Sequence, residues 1–128
     1  MAITDNTYPI VNLPHEGVDV FKSMSSEDVS GGETILAAVA GKSHYITELQ
    51  VRADAAMDVT LGSGLAAAAV VTPHIGPIAL AAASGFFYWK APPGKGLKCT
   101  SGTLFGIDAS AAGTIWIDAR GKTCVDKL

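Results

Sequence analysis

The sequence predicts an all-β domain, an antiparallel β-sandwich or jelly-roll-like unit of eight or nine short strands preceded by an extended N-terminal arm. Three observations predict it. From Thr34 onward, apolar or alternating runs of about five to eight residues recur between Gly, Pro and Ser turn signals. No run is long enough for the crossover helices of a parallel sheet. The first third is different in kind: residues 1–33 carry six acids against Lys22 alone, a net of −5, whereas residues 34–128 carry eight Lys or Arg against six acids, a net of +2.

Within residues 1–33, Tyr8-Pro9-Ile10-Val11 and Leu13-Pro14 read as extended, because proline pushes its predecessor out of the helical region. A short helix start at Ser25-Ser26-Glu27-Asp28 is ended by Ser30-Gly31-Gly32. The segment is expected to be an arm, dispensable for folding, followed by a sandwich over residues 34–128. Thr34–Val39 leads to a turn at Ala40-Gly41-Lys42. Tyr45, Thr47, Leu49 and Val51 then alternate with Ile46, Glu48, Gln50 and Arg52, the period of two that marks a strand. Met57–Leu61 alternates again before Gly62-Ser63-Gly64, read as a hairpin glycine pair. Further strands are expected at Leu65–Thr72, Gly76–Leu80, Gly85–Lys90, Gly96–Ser101, Thr103–Ile107 and Gly113–Asp118. The Ala-rich pieces Leu65–Val71 and Ala79–Ala83 could equally suit helices.

Composition excludes several classes. Hydrophobic residues make up 48% and charged residues 16%, with 20 Ala and 14 Gly, which sets aside a disordered chain and a Glu/Lys-rich coiled coil. A net charge of −3 argues against a general nucleic-acid binder. Val59–Trp89 contains no charged residue, but Pro73 and Pro77 would break a spanning helix, so buried strands are expected and no membrane contact. No signal-peptide pattern is visible at the start. Cys99 and Cys124, 25 residues apart, fit no redox or zinc spacing and read as independent thiols.

Chemical motifs fall short one by one. Gly62-Ser63-Gly64-Leu65-Ala66-Ala67 imitates a dinucleotide-binding turn, yet no carboxylate follows before Asp108 to hold a ribose. Gly41-Lys42-Ser43 resembles the end of a phosphate loop, but Leu36 stands where the first glycine is needed. His15, His44 and His74 lie about thirty residues apart without neighbouring ligands, and His44 reads as a rim residue. Ser63 and Ser84 lack the outer glycine of a nucleophile elbow. Asp108 and Asp118 could pair across neighbouring strands for acid–base work, although lone aspartates at strand ends usually cap turns. No enzyme activity, cofactor or metal is expected.

Phe86-Phe87-Tyr88-Trp89 is the densest aromatic run, and alternation places Phe86 and Tyr88 on one face and Phe87 and Trp89 on the other. If one face fills the core, the other must be covered by a neighbouring subunit, the arm, or a ligand such as a sugar ring; a subunit or arm is the commoner occupant. Lys90, Lys95 and Lys98 rim this strand around Pro92-Pro93-Gly94.

The run Ala37-Ala38-Val39-Ala40-Gly41-Lys42, then Val59–Gly64, Ile75–Ala82, Ser84-Gly85-Phe86, Gly96-Leu97-Lys98 and Ser110–Thr114, is similar to a group of small β-sandwich proteins of tailed bacteriophage virions. The resemblance spans about Ile35 to Asp118; the Ala-rich stretch Leu65–Thr72 and the acidic residues 1–33 depart from it. It implies a structural role in the virion, made in the host cytoplasm. The leading expectation is a capsid decoration (cement) protein, a homotrimer on the head surface that meets the major capsid protein and neighbouring copies. Tyr8, Ile10, Val11 and Leu13 would be the capsid contacts, and Phe87 and Trp89 the subunit contacts. The alternative is a tail or fibre module binding a receptor or carbohydrate through Phe87 and Trp89. A small hydrolase using Asp108 or Asp118 is a third reading.

Overall fold

The computed structural model describes residues 10–14, 16–66, 69–81 and 85–125. Ten strands follow in order: β1 (Ile10–Asn12), β2 (Val18–Ser26), β3 (Glu33–Leu36), β4 (Lys42–Ala53), β5 (Met57–Ala66), β6 (Ala69–Leu80), β7 (Gly85–Lys90), β8 (Lys95–Lys98), β9 (Phe105–Ala109) and β10 (Ile115–Val125). All pairings are antiparallel, and they build two sheets. The first runs β1-β8-β4-β10-β2, with β7 also on β4; the second runs β3-β9-β5-β6. The described residues contain no helix.

The first sheet is organised by β4. Along one side it pairs with β10 from Lys42 to Ala53. Along the other it is shared end to end, β8 against Tyr45 and Ile46 and β7 against Glu48–Ala53, with Ala91 N–H bonded to Thr47 O between them at 2.8 Å. Alternation decides what each strand buries. Leu49, Val51 and Ala53 of β4 and Ile115, Ile117 and Ala119 of β10 point inward and meet Val59, Leu61, Ile75, Phe105 and Ile107 of the second sheet. The result is a sandwich-like, single apolar core. Each fully buried large side chain contributes about 1.5–3 kcal/mol before entropy is counted.

The described residues 10–14 and 16–26 are not set apart from this core. β2 pairs with β10 from Val18↔Thr123 to Ser26↔Ile115, β1 pairs with β8, and Val29 is wholly buried. A boundary at residue 33 would therefore fall inside β3 of the second sheet and part β1 and β2 from the first sheet they pair into. Lys22 interrupts the apolar alternation of Val18, Val20 and Met24, and the acids Glu16, Asp19, Glu27 and Asp28 sit on exposed positions. The helix start at Ser25–Asp28 is instead the end of β2 and a turn: the Asp28 carboxylate accepts Ser30 N–H at 2.8 Å, and Gly32 N–H bonds Val29 O. The Ser30 side-chain hydrogen bond, and then its N–H, hold the Asp28 carboxyl below its ordinary pKa against a smaller desolvation effect.

The Gly62-Ser63-Gly64 pair is no hairpin turn; it lies inside β5, which runs on to Ala66. Gly62 is required there because a Cβ would run into Thr72 O of β6. Pro73 and Pro77 both lie within β6, where the missing N–H is tolerated because β6 is the edge of its sheet.

Candidate functional site

The residues exposed on the outer face of the first sheet fall into register across four strands. Ser25 of β2, Trp116 of β10, Arg52 of β4 and Phe86 of β7 form one row; Ser23, Asp118, Gln50 and Tyr88 form the next; Phe21, Arg120, Glu48 and Lys90 the third. Each strand supplies every second residue, so the polar residues Arg52, Gln50, Glu48, Asp118 and Arg120 on β4 and β10 lie among the rings of Trp116, Phe21, Phe86 and Tyr88.

Two arginines are fixed by rings. The Arg52 guanidinium lies 4.5 Å from the Trp116 ring centre, and that of Arg120 lies 4.7 Å from Phe21. Arg120 Nε also faces Glu48 Oε1 at 3.6 Å, and Tyr88 Oη donates to Glu48 Oε2 at 2.5 Å. The hydrogen bond to Glu48 raises the Tyr88 phenol pKa, with slight desolvation and the carboxylate's charge adding to it. A chain of contacts thus crosses the sheet from β2 to β7. Above the first two rows lies a hollow of about 600 Å³ lined by Ser23, Gln50, Arg52, Phe86, Trp116 and Asp118.

The expected site residues are placed differently. Phe87 and Trp89 pack against the core, opposite Val51 and Leu49, and the exposed pair of that strand is Phe86 and Tyr88, 54% and 49% accessible. Ile10 also packs against the core, Val11 is half-buried opposite Gly96, and Leu13 N–H bonds Gly94 O at 2.9 Å. These three contacts are made within the chain. Tyr8 and His15 lie outside the described residues. Asp108 and Asp118 sit on different sheets, β9 and β10, and so do not pair; Asp108 Oδ2 instead accepts Val70 N–H at 2.7 Å.

The histidines are interior. His44, expected at a rim, is 4% exposed. Its Nε2 lies 2.8 Å from the Ala37 carbonyl and must donate to it, so Nδ1 accepts from Thr123 Oγ1, also at 2.8 Å. His74 Nε2 lies 2.8 Å from Ser63 Oγ, which already accepts Thr100 N–H at 2.9 Å. Ser63 and His74 have the atoms of a nucleophile–base pair, but both are buried and committed to neighbours in the fold. Cys99, beside them, has its thiol pKa pushed up to about 12 by burial, against the opposing hydrogen bond of Ser63. Cys124 donates to Glu16 O and burial raises it as well; both cysteines are free thiols. Among the described residues, no three His, Cys, Asp or Glu side chains converge as a metal site.

The signal that could have found the outer face was partly readable. Glu48, Gln50 and Arg52 form the polar side of an alternating run, and Trp116, Asp118 and Arg120 repeat it. What joins them is strand pairing across more than sixty residues, which alternation does not encode. Comparison with known protein families, with characterised proteins and with solved structures finds no match for this chain.

Proposed function

We propose that this chain is a virion structural protein, a capsid decoration (cement) protein with a jelly-roll-like sandwich, which binds and stabilises a bacteriophage head shell as an oligomer. The observation that carries the reading is the outer edge of β2. This nine-residue strand ends its sheet, without a strand partner on its outer side among the described residues. It also presents Val18 and Phe21, 63% and 58% exposed. A long edge with apolar side chains is a template for strand addition, which single-chain proteins commonly blunt with charge or proline. Here the edge has only Asp19 and Lys22, and no proline.

Strand addition gives the backbone hydrogen bonds of the contact, and Val18 and Phe21 give its apolar burial. Many copies on one shell then reinforce a contact that is modest for each. The resemblance in Ala37–Lys42 and Ile75–Phe86 supports the phage assignment. The test is co-sedimentation with purified expanded shells. Wild-type protein is expected to pellet with them, and the V18K/F21K double variant, melting within a few degrees of wild type, is expected to stay in the supernatant. Equal pelleting of the two would overturn the edge as the contact.

A further inference from the structure

The hollow on the outer face of the first sheet lies inward of the β2 edge and has its own chemistry. Its volume of about 600 Å³ is within the range of small-molecule sites, roughly 300–1,000 Å³. Beside the hydroxyls of Ser23 and Ser25, its polar groups are Arg52, which only donates, Asp118, which only accepts when ionised, and Gln50, which does both. Gln50 is the sole glutamine of the chain. Neither Gln50 nor Asp118 makes a side-chain hydrogen bond or ion pair among the described residues, and Arg52 makes only its ring contact with Trp116. That contact places the guanidinium over the ring, and Arg52 is exposed. Phe86 adds an exposed ring on the β7 side.

We propose that this hollow binds a neutral saccharide. The charge pattern selects the class: a fixed anion meets Asp118, with Glu48 in the next row, and a fixed cation meets Arg52 and Arg120. An uncharged polyol avoids both repulsions. Its hydroxyls donate to Asp118 and the Gln50 carbonyl and accept from Arg52 and the Gln50 amide. The apolar face of a sugar ring lies against Phe86, which offers a flat surface at little conformational cost. The hollow is open, so single-site binding is weak and display of several copies strengthens it.

The test uses the full chain displayed on a tetrameric carrier, applied to an array of neutral, sialylated and sulfated glycans, with sedimentation velocity of the free protein alongside. The expected result is retention on one or more neutral glycans, reduced roughly tenfold or more in Q50A and in D118A. Both variants should melt as wild type does, and V71A, on the other sheet, should bind unchanged. Retention on acidic glycans alone, no retention on neutral ones, or retention indifferent to Q50A would overturn the proposal. So would self-association that Q50A or D118A abolishes, which would assign the face to a second copy. None of these outcomes depends on the shell-binding reading, whose test is the β2 edge.

Discussion

Tyr88 of β7 donates a hydrogen bond to Glu48 of β4 across one step of the sheet, and the same carboxylate faces Arg120 of β10 on its other side. One acid thereby links three strands of an exposed face. The neutral phenol is the form that donates, so its pKa lies above the ordinary 10.0. A raised folded-state pKa means that this contact's stabilisation is complete below pH 10 and is lost as pH rises through the higher value. Ultraviolet titration should show Tyr88 ionising late, and E48Q should move it back toward the ordinary value. Unchanged titration in E48Q would contradict the bond.

Gly121 sits where the β10–β4 register shifts, and a Cβ there would run into the Tyr45 carbonyl. Nothing lies within 4 Å of the corresponding position at Gly31, whose backbone is outside the left-handed region. G121A is expected to destabilise by about 3 kcal/mol or more, and G31A by no more than about 0.5 kcal/mol. Urea melts of the two variants check this, and similar midpoints would contradict the close approach.

Deleting residues 1–9 leaves all ten strands in place, whereas deleting 1–33 removes β1, β2 and the fully buried Val29. The shorter truncation should keep a cooperative thermal transition near that of the full chain. The longer one should lose it, because β10 loses β2, one of its two partners, and the core is opened where Val29 is removed. Circular dichroism melts distinguish the two. A fully cooperative 34–128 fragment would restore the picture of a separate arm.

Both thiols are buried, and Cys99 is held protonated up to about pH 12. Native protein at pH 8 is therefore expected to react negligibly with a disulfide reagent, and to release two thiols per chain once denatured. A missing thiol after denaturation would indicate a disulfide and contradict the structure.

The bounds of β7 coincide with the aromatic run Gly85–Lys90, and the alternation of β4 separates Leu49 and Val51 from Gln50 and Arg52. Alternation divides a strand into two faces without saying which one is inside. Phe86 and Phe87 were indistinguishable until the register set Phe87 opposite buried Val51. Glycine was the other source of misreading. In Gly62-Ser63-Gly64 it signals a close approach of β6 and a local irregularity, not the turn such pairs often mark. Likewise His44 reads as polar in sequence, but its cross-strand partner Thr123 satisfies it indoors.

If this protein works by assembly onto a shell, as proposed, its abundance in the particle follows that shell's symmetry. Quantitative mass spectrometry of purified particles, counting this chain against the major capsid protein, tests it most directly. The proposed shell binding predicts a copy number in fixed, symmetry-related proportion to the shell subunit. Absence from the particle, or only a handful of copies, would contradict it.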